Sequence, residues 1–457
     1  MKWPTMPHLS PTKLKKYEKA TVSAPETVLR MLEICKDSDL NAFITLLERE
    51  ATDAAYKSAK RAKEGRKIGP LDGVAVAIKD NIYIKGVRST AGSKILADFV
   101  PSYDSEVVRR LKGAGAIIIG TTNMHEFASG VTSVNPHWGA VRNPYDRRRI
   151  AGGSSGGSAA AVGAGLVTLA VGTDTSGSVR IPASLCGVFG FKPTWRSISL
   201  KGVFPLSPSL DTVGVFSRDV KGVQLLFDTL RKSSRRKNED KVSLQRISFV
   251  VPRRYFFDIL SEEVEQALES FIHELGRFGY RVEESKVDIF SEARAAWAPI
   301  RLAEAAEIHL KWMSEREADY GSDVLDMLRR GMEVRAVEYI RARNLRKSMI
   351  RECSEFLRKY NEIAMMITPT CPITAPLIGD EKVTLMNREL DVYSMLSRNT
   401  FPFNVTGSPS LSYPAYLSKE GLPIGVQITA NLGEDNTLLA TAQRLELSIG
   451  TNKRVGI

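Results

Sequence analysis

Two serines in glycine-rich turns and one lysine at the end of an apolar run are the residues of this sequence best placed for covalent chemistry. Ser154 lies in Gly152 to Ser158, a stretch of only glycine and serine, and Ser178 closes the polar turn Thr173 to Ser178. A serine hydroxyl is a weak nucleophile until a base removes its proton, and that base is commonly histidine. The five histidines here are His8, His125, His137, His273 and His309. None lies late enough to serve the strand-turn-helix nucleophile that Gly153-Ser154-Ser155-Gly156-Gly157 formally imitates. The residues before that turn, NPYDRRRI, are also not the apolar strand it requires. Ser10 and Lys13 form an SxxK pair, but in a Pro-rich segment with no core around it, and we read it as chance. No lysine follows the glycines as a phosphate-binding loop would need.

A lysine base is what remains, and Lys79 directly follows the apolar run Val74 to Ile78. Lysine titrates near 10.4 in water, so acting as a base at neutral pH needs a shift of about three units, or roughly 4 kcal/mol. Burial disfavours the ammonium by as much as ~3 to 5 units. An isolated strand-end lysine would read as solvated; two serine turns at the same sheet edge favour the base.

The elements that would hold these residues alternate strand and helix. Val74 to Ile78 and Ala116 to Gly120 are apolar on both faces, as central parallel strands are, with a helix pattern from Asp104 to Gly115 between them. A loop and helix from Thr121 to Gly130 follow. After the first serine turn come small helix formers, Ala159 to Leu166, then a strand, Val167 to Gly172, the second serine turn, and a helix opening at Arg180-Ile181-Pro182. Ser38 to Lys63 carries helical spacing. Residues 195–218 look loose, and Lys232 to Lys241 reads as an exposed loop. Beyond it a strand, helix, strand unit (Ile247 to Val251, Ser261 to Phe278, Arg281 to Val287) precedes a charged helical stretch over 291–361. Strands are expected at Ile363 to Pro369, Pro409 to Tyr416 and Pro423 to Ala430, and a closing helix at Asn436 to Leu447. The fold class is therefore α/β: a large mixed, mostly parallel central sheet with helices on both faces and an inserted helical region. Residues 1–457 are expected to form a single domain, with N-terminal helices over 1–65, a catalytic core over 66–220, an inserted α/β and helical region over 221–361, and the rest of the core over 362–457.

Hydrophobic residues at 43% and charged ones at 25% place the chain among globular proteins, and it has no apolar run of membrane-spanning length. The N-terminal residues lack the apolar segment of a secretion signal, and a cytoplasmic protein is expected. Cys35, Cys186, Cys353 and Cys371 are too scattered for a disulfide framework or a CxxC metal site, and the histidines show no ligand spacing. Neither a metal nor a cofactor is expected. The net charge of +12 gathers at Lys13 to Lys16, Arg147 to Arg149, Arg231 to Lys237 and Arg341 to Lys347. Aromatic residues are not interleaved with these clusters, so solvated faces fit better than an RNA site.

Taken together, VAIKDN around Lys79, GTTNMHEFASG at 120–130, GGSSGGSAAAVGAG, GTDTSGSVRIPAS and GFKPT resemble the amidase signature family in order and spacing. That family has its two catalytic serines 24 positions apart, as Ser154 and Ser178 are here, with the lysine about 75 before the first. The resemblance is strong over about 65–220 and looser over 360–450. It implies Ser178 as the acylated nucleophile, Ser154 as the bridging serine beside a cis peptide bond, and Lys79 as the base. Ser129 and Gly130 fall where the family contacts the substrate amide. The N–H groups of Thr175, Ser176, Gly177 and Ser178, in a glycine-permitted turn, suit an oxyanion. Ser155 and Ser158 are expected to support by hydrogen bonding, and Asp174 and Arg180 to be structural.

The implied reaction is hydrolysis of a carboxamide to carboxylate and ammonia, with the small-molecule amide, and at most a second copy of the chain, as partners, and no membrane. The alternative within the family is the glutamine-cleaving component of the aminoacyl-tRNA amidotransferase, which frees ammonia from glutamine and works with partner subunits and tRNA. Arg346 sits where that component has an arginine near its glutamine site, but Ser397 stands where it has an aspartate for the glutamine ammonium. His125 and Ser176 also depart from the commonest family residues. The missing carboxylate leads to an expectation of neutral aliphatic or aromatic amides, acted on by the chain alone. A non-catalytic descendant is disfavoured by the intact Lys79, Ser154 and Ser178.

Overall fold

A computed structural model describes residues 25–232, 247–286, 288–361 and 363–454. The cluster Lys13 to Lys16, the Ser10/Lys13 pair and most of the Lys232 to Lys241 loop lie outside them. One sheet of 12 strands organises the chain. In chain order the strands are β1 (Phe43–Leu46), β2 (Ala75–Lys79), β3 (Ile117–Thr122), β4 (Leu169–Asp174), β5 (Phe189–Lys192), β6 (Thr212–Ser217), β7 (Ile247–Pro252), β8 (Arg281–Ser285), β9 (Ile363–Pro369), β10 (Ser410–Leu417), β11 (Pro423–Thr429) and β12 (Lys453–Arg454). Across the sheet they run β1, β3, β2, β4, β6, β5, β10, β11, β9, β7, β8, with β12 beside β10.

The sheet is mixed, as expected, and its parallel pairs fall mainly in two trios. β2 lies parallel to β3 and β4, and β7 lies parallel to β8 and β9. Between the trios β6, β5, β10 and β11 pair antiparallel. Two of those middle strands, β5 and β6, are ones that local pattern does not announce. DTVGVFS interrupts its apolar residues with glycine and threonine, yet β6 is buried along its whole length because β4 and β5 cover both its edges.

The sequence predicts one helix over Ser38 to Lys63, whereas Phe43–Leu46 is an edge strand antiparallel to β3 and the helix starts at Glu48. Burial against β3 overrides helical spacing there. In the unit over 247–286, β7 and β8 continue the main sheet through β9. Of the helices beyond it, α1 (Ala293–Glu315) packs against both α2 (Ser322–Met332) and α3 (Ala336–Arg358), and α3 also lies on β9. No helix among the described residues is long and apolar enough to cross a membrane.

The apolar core on one face of the sheet is built from large side chains such as Phe189, Phe191, Phe249 and Tyr413. The other face instead packs Ala159, Ala160, Ala161 and Val162 against Ala75, Ala77 and Ile119. Small residues there bring the helix carrying the first serine turn close to the strands. That helix begins at Gly156, ahead of the expected Ala159, and a Cβ at Gly157 would stand 2.4 Å from the carbonyl oxygens of Ala42 and Asn123. Only glycine permits such an approach.

Candidate active site

Lys79 ends β2 at the C-terminal edge of a parallel trio, where open α/β sheets gather functional groups. Its side chain is 0% exposed, and Nζ lies 2.8 Å from both Ser154 Oγ and Thr173 Oγ1. Burial pulls the Lys79 amine down to about 7, while the Asp174 and Asp211 carboxylates oppose the shift. Asp211 is itself pushed up to about 6 by burial, against hydrogen bonds from Thr175 Oγ1 and the N–H groups of Leu206 and Ser207.

The Gly153–Ser154 peptide bond is cis. Ser155 and Ser158 pin the turn and its helix to β4: Ser155 Oγ donates to Thr173 O at 3.1 Å and Ser158 Oγ to Val171 O at 3.1 Å. The two serine turns also meet through backbone, with Ser155 N donating to Ser178 O at 3.2 Å. The Ser178 hydroxyl makes no hydrogen bond among the described residues and keeps 4% exposure, so it remains available to a reactant.

Asp174 shapes the second turn. Its Oδ1 accepts from Gly177 N at 2.8 Å and its Oδ2 from Val179 N at 3.1 Å. Burial works against its charge, but the Arg180 guanidinium beside it holds the carboxyl well below the usual range. Arg180, fully buried, also donates to Thr400 O, Gln427 Oε1 and Asn404 Oδ1. The pair is a structural hub that ties the turn to residues more than 200 positions later. Gly177 has φ +120, and a Cβ there would stand 2.0 Å from Thr400 Oγ1, so the turn admits only glycine.

Of the four N–H groups expected to face an oxyanion, that of Gly177 is engaged by Asp174. Those of Thr175, Ser176 and Ser178 have no acceptor among the described residues. The carbonyl of Ser176 is held by Thr400 Oγ1 at 2.6 Å, which fixes the peptide plane next to them.

The loop bearing Ser129 and Gly130 wraps the first serine turn. His125 N donates to Ser154 O at 3.1 Å, and a Cβ at Gly153 would stand 2.8 Å from Ser133 N. Gly130 lies against the His125 ring, which bonds Asp323 Oδ2 through Nε2 at 2.7 Å. Ser129 faces a cavity of about 360 Å³ whose walls include Trp297, Arg301, Met327, Tyr393 and Ser394. Lys79, Ser154 and Ser178 are not among the residues lining it, and no hydrogen bond among the described residues joins Ser129 or Gly130 to them. The cavity's link to the serine turns runs through the chain: the Ser129 loop bonds the Ser154 turn by His125 N, and the segment that follows Tyr393 and Ser394 reaches the Ser178 turn by Thr400 Oγ1.

Arg346 and Ser397 do not meet in that cavity. Arg346 Nε donates to Val405 O at 2.9 Å and its guanidinium lies 4.6 Å from the Trp195 ring centre, while Ser397 Oγ donates to Tyr393 O. The Arg147 to Arg149 cluster is paired off: Arg147 with Asp39, and Arg148 and Arg149 with Asp146. Sequence reasoning missed Thr173, Thr400, Asn404 and Arg301. Thr173, a hydroxyl at the buried end of an apolar strand, offered a local signal; the others offered none.

The family model described as Amidase matches residues 26–439. The A subunit of the Methanosarcina mazei glutamyl-tRNA(Gln) amidotransferase is 34% identical over 456 residues, covering 93% of each chain. A solved structure described as that of an amidase superposes with a TM-score of 0.87 at 33% identity, covering 96% of this chain and 98% of its own. The A subunit of the Thermotoga maritima glutamyl-tRNA(Gln) amidotransferase gives 0.76 at 29%, covering 96% of each.

Proposed function

This chain belongs to the amidase family and is a hydrolase of amide C–N bonds, and on that premise we propose that it acts through an acyl-enzyme on Ser178, with Ser154 as proton relay and Lys79 as base. The observation that carries this reading is the buried Lys79 amine 2.8 Å from Ser154 Oγ, its ammonium form disfavoured by burial. A heavy-atom distance does not place the hydrogen, and a neutral amine can accept from Ser154 while donating to Thr173. Ser178 Oγ attacks the carbonyl carbon as its proton passes to Ser154, whose own proton passes to Lys79. The Lys79 proton then returns along the relay to the amide nitrogen as the C–N bond breaks and ammonia leaves. Water repeats the relay to release the carboxylate. N–H groups of the Thr175 to Ser178 turn stabilise the oxyanion, each such donor being worth ~3 kcal/mol. The sheet, continuous from residue 43 to 454, supports treating the chain as one catalytic unit. The cysteines are all free and buried, in keeping with a cytoplasmic setting.

Peptide mapping after a fluorophosphonate label, together with Ser178→Ala, tests the assignment. Label on Ser178 alone and loss of amide hydrolysis by roughly 10⁴-fold or more are expected. Label on Ser154 or Ser155 would overturn the choice of nucleophile.

The names of the curated relatives favour a second reading, the glutamine-cleaving component of an amidotransferase, releasing ammonia from glutamine. Two observations favour the stand-alone enzyme: Ser397 supplies no carboxylate for an ammonium, and Arg346 is packed on Trp195 outside the cavity. Purified alone, the chain is expected to prefer simple amides over glutamine by at least about 100-fold in kcat/KM. Activity that requires partner subunits and charged tRNA would decide for the second reading.

A further inference from the structure

Six charged side chains line the cavity beside Ser129. Arg294, Arg330, Asp323, Asp326 and Asp391 are all exposed. The three acids already have partners: Asp323 accepts from His125, Asp326 pairs with Arg329 at 3.7 Å, and Asp391 caps the following helix by accepting from Ser394 N. Arg301 is different. It is 4% exposed, it lies on α1, and no carboxylate pairs with it among the described residues.

Its hydrogen bonds go only from Nη2, to Ser129 Oγ at 2.8 Å and Ser129 O at 3.3 Å. Nε is buried without an acceptor and Nη1 has none among the described residues. The guanidinium lies 5.3 Å from the Trp297 ring centre and 5.7 Å from that of Tyr393. Aromatic faces hold the cation in place without neutralising it, and a buried charge with no counter-ion is costly unless one is supplied. The planar fork of arginine matches a carboxylate. Ser129 in turn ties this cation to the loop wrapped around the Ser154 turn.

We propose that Arg301 selects the acyl group of the substrate, and that this group carries a carboxylate, so that the enzyme acts on monoamides of short dicarboxylic acids. This rests on the amide-hydrolase reading above and departs from the neutral amides that the sequence leads one to expect. A single buried cation with no buried acid suits an anion and not a zwitterion. The reaction stays a hydrolysis: water and the monoamide give the dicarboxylate and ammonia.

Steady-state kinetics with succinamate and its neutral analogue butyramide test the preference. Succinamate is expected to lead by about 100-fold in kcat/KM, and Arg301→Met to bring the ratio within about threefold of one, chiefly through KM. Calorimetric titration of succinate into the Ser178→Ala protein separates this inference from the hydrolase reading. Succinate should bind there and weaken at least tenfold when Arg301→Met is added. Arginine-dependent succinate binding without turnover of either amide would sink the hydrolase reading and leave the anion site standing. A butyramide preference, or succinate affinity unchanged by Arg301→Met, overturns the inference. Should that variant fail to fold, Arg301→Lys keeps the charge without the fork, and equal succinate affinity in it overturns the inference as well.

Discussion

Among the described residues two strand ends carry a fully buried lysine, and only one of those lysines hydrogen-bonds a serine. Lys79 closes β2 and Lys192 closes β5; both are 0% exposed. Burial pulls each amine down to about 7, with Arg180 adding to the shift at Lys192 and Asp174 opposing it at both. Lys79 Nζ meets two hydroxyls, those of Ser154 and Thr173, whereas Lys192 Nζ donates to the carbonyl of Pro193 at 3.1 Å. A carbonyl has no proton to give. Burial therefore tunes both amines alike, and contact with a transferable proton distinguishes a base from a structural lysine.

Substituting each lysine should break the comparison most sharply. Lys79→Ala is expected to lower kcat/KM for a simple amide by about 10² to 10⁴-fold, while Lys192→Met stays within about threefold of the parent. Comparable losses in both variants would mean that Lys79 acts through the fold alone. Asp174 is the carboxylate whose field both lysines share, and it also neutralises Arg180. Asp174→Asn should cost about 3 to 5 kcal/mol in urea denaturation by leaving the Arg180 guanidinium unpaired.

The pH dependence sharpens the comparison further. As pH falls through about 7 Lys79 gains a proton and the proposed base is lost. The rate should then fall about tenfold per unit on the acid side and level off above. A flat profile between pH 5 and about 9 would remove Lys79 from the chemistry. Lys192 should show itself only in stability. Its folded pKa of about 7 lies below the unfolded value, so between about 7 and 10 the unfolded chain binds the extra proton and stability rises with pH. Lys192→Met should remove its own share of that rise, at most about 1.4 kcal/mol per pH unit, and leave the share that Lys79 contributes, read from denaturant melts at pH 7 and pH 10.

The strands β2, β3 and β9 are apolar on both faces and could be read directly, and Lys79 could be read as the polar residue ending the first of them. The strands β5 and β6 could not, because GFK and TVGVFS become buried only once neighbouring strands cover them. The serine turns were likewise visible as glycine-rich breaks between ordered elements. The engagement of Gly177 N by Asp174 was not, since it depends on how the turn closes.

The sequence by itself determined which groups exist for chemistry and roughly how far apart they stand: a lysine, two serines and a glycine turn at family spacing, without a late histidine. Tertiary structure alone decided which of two buried strand-end lysines faces a hydroxyl, that Thr173 shares Lys79 with Ser154, and that Arg301 reaches Ser129 across 172 positions of chain. Local periodicity reports whether a side chain will be buried. It carries no information about which distant group will share that interior, because the partner is chosen when the strands pair and the helices close over them.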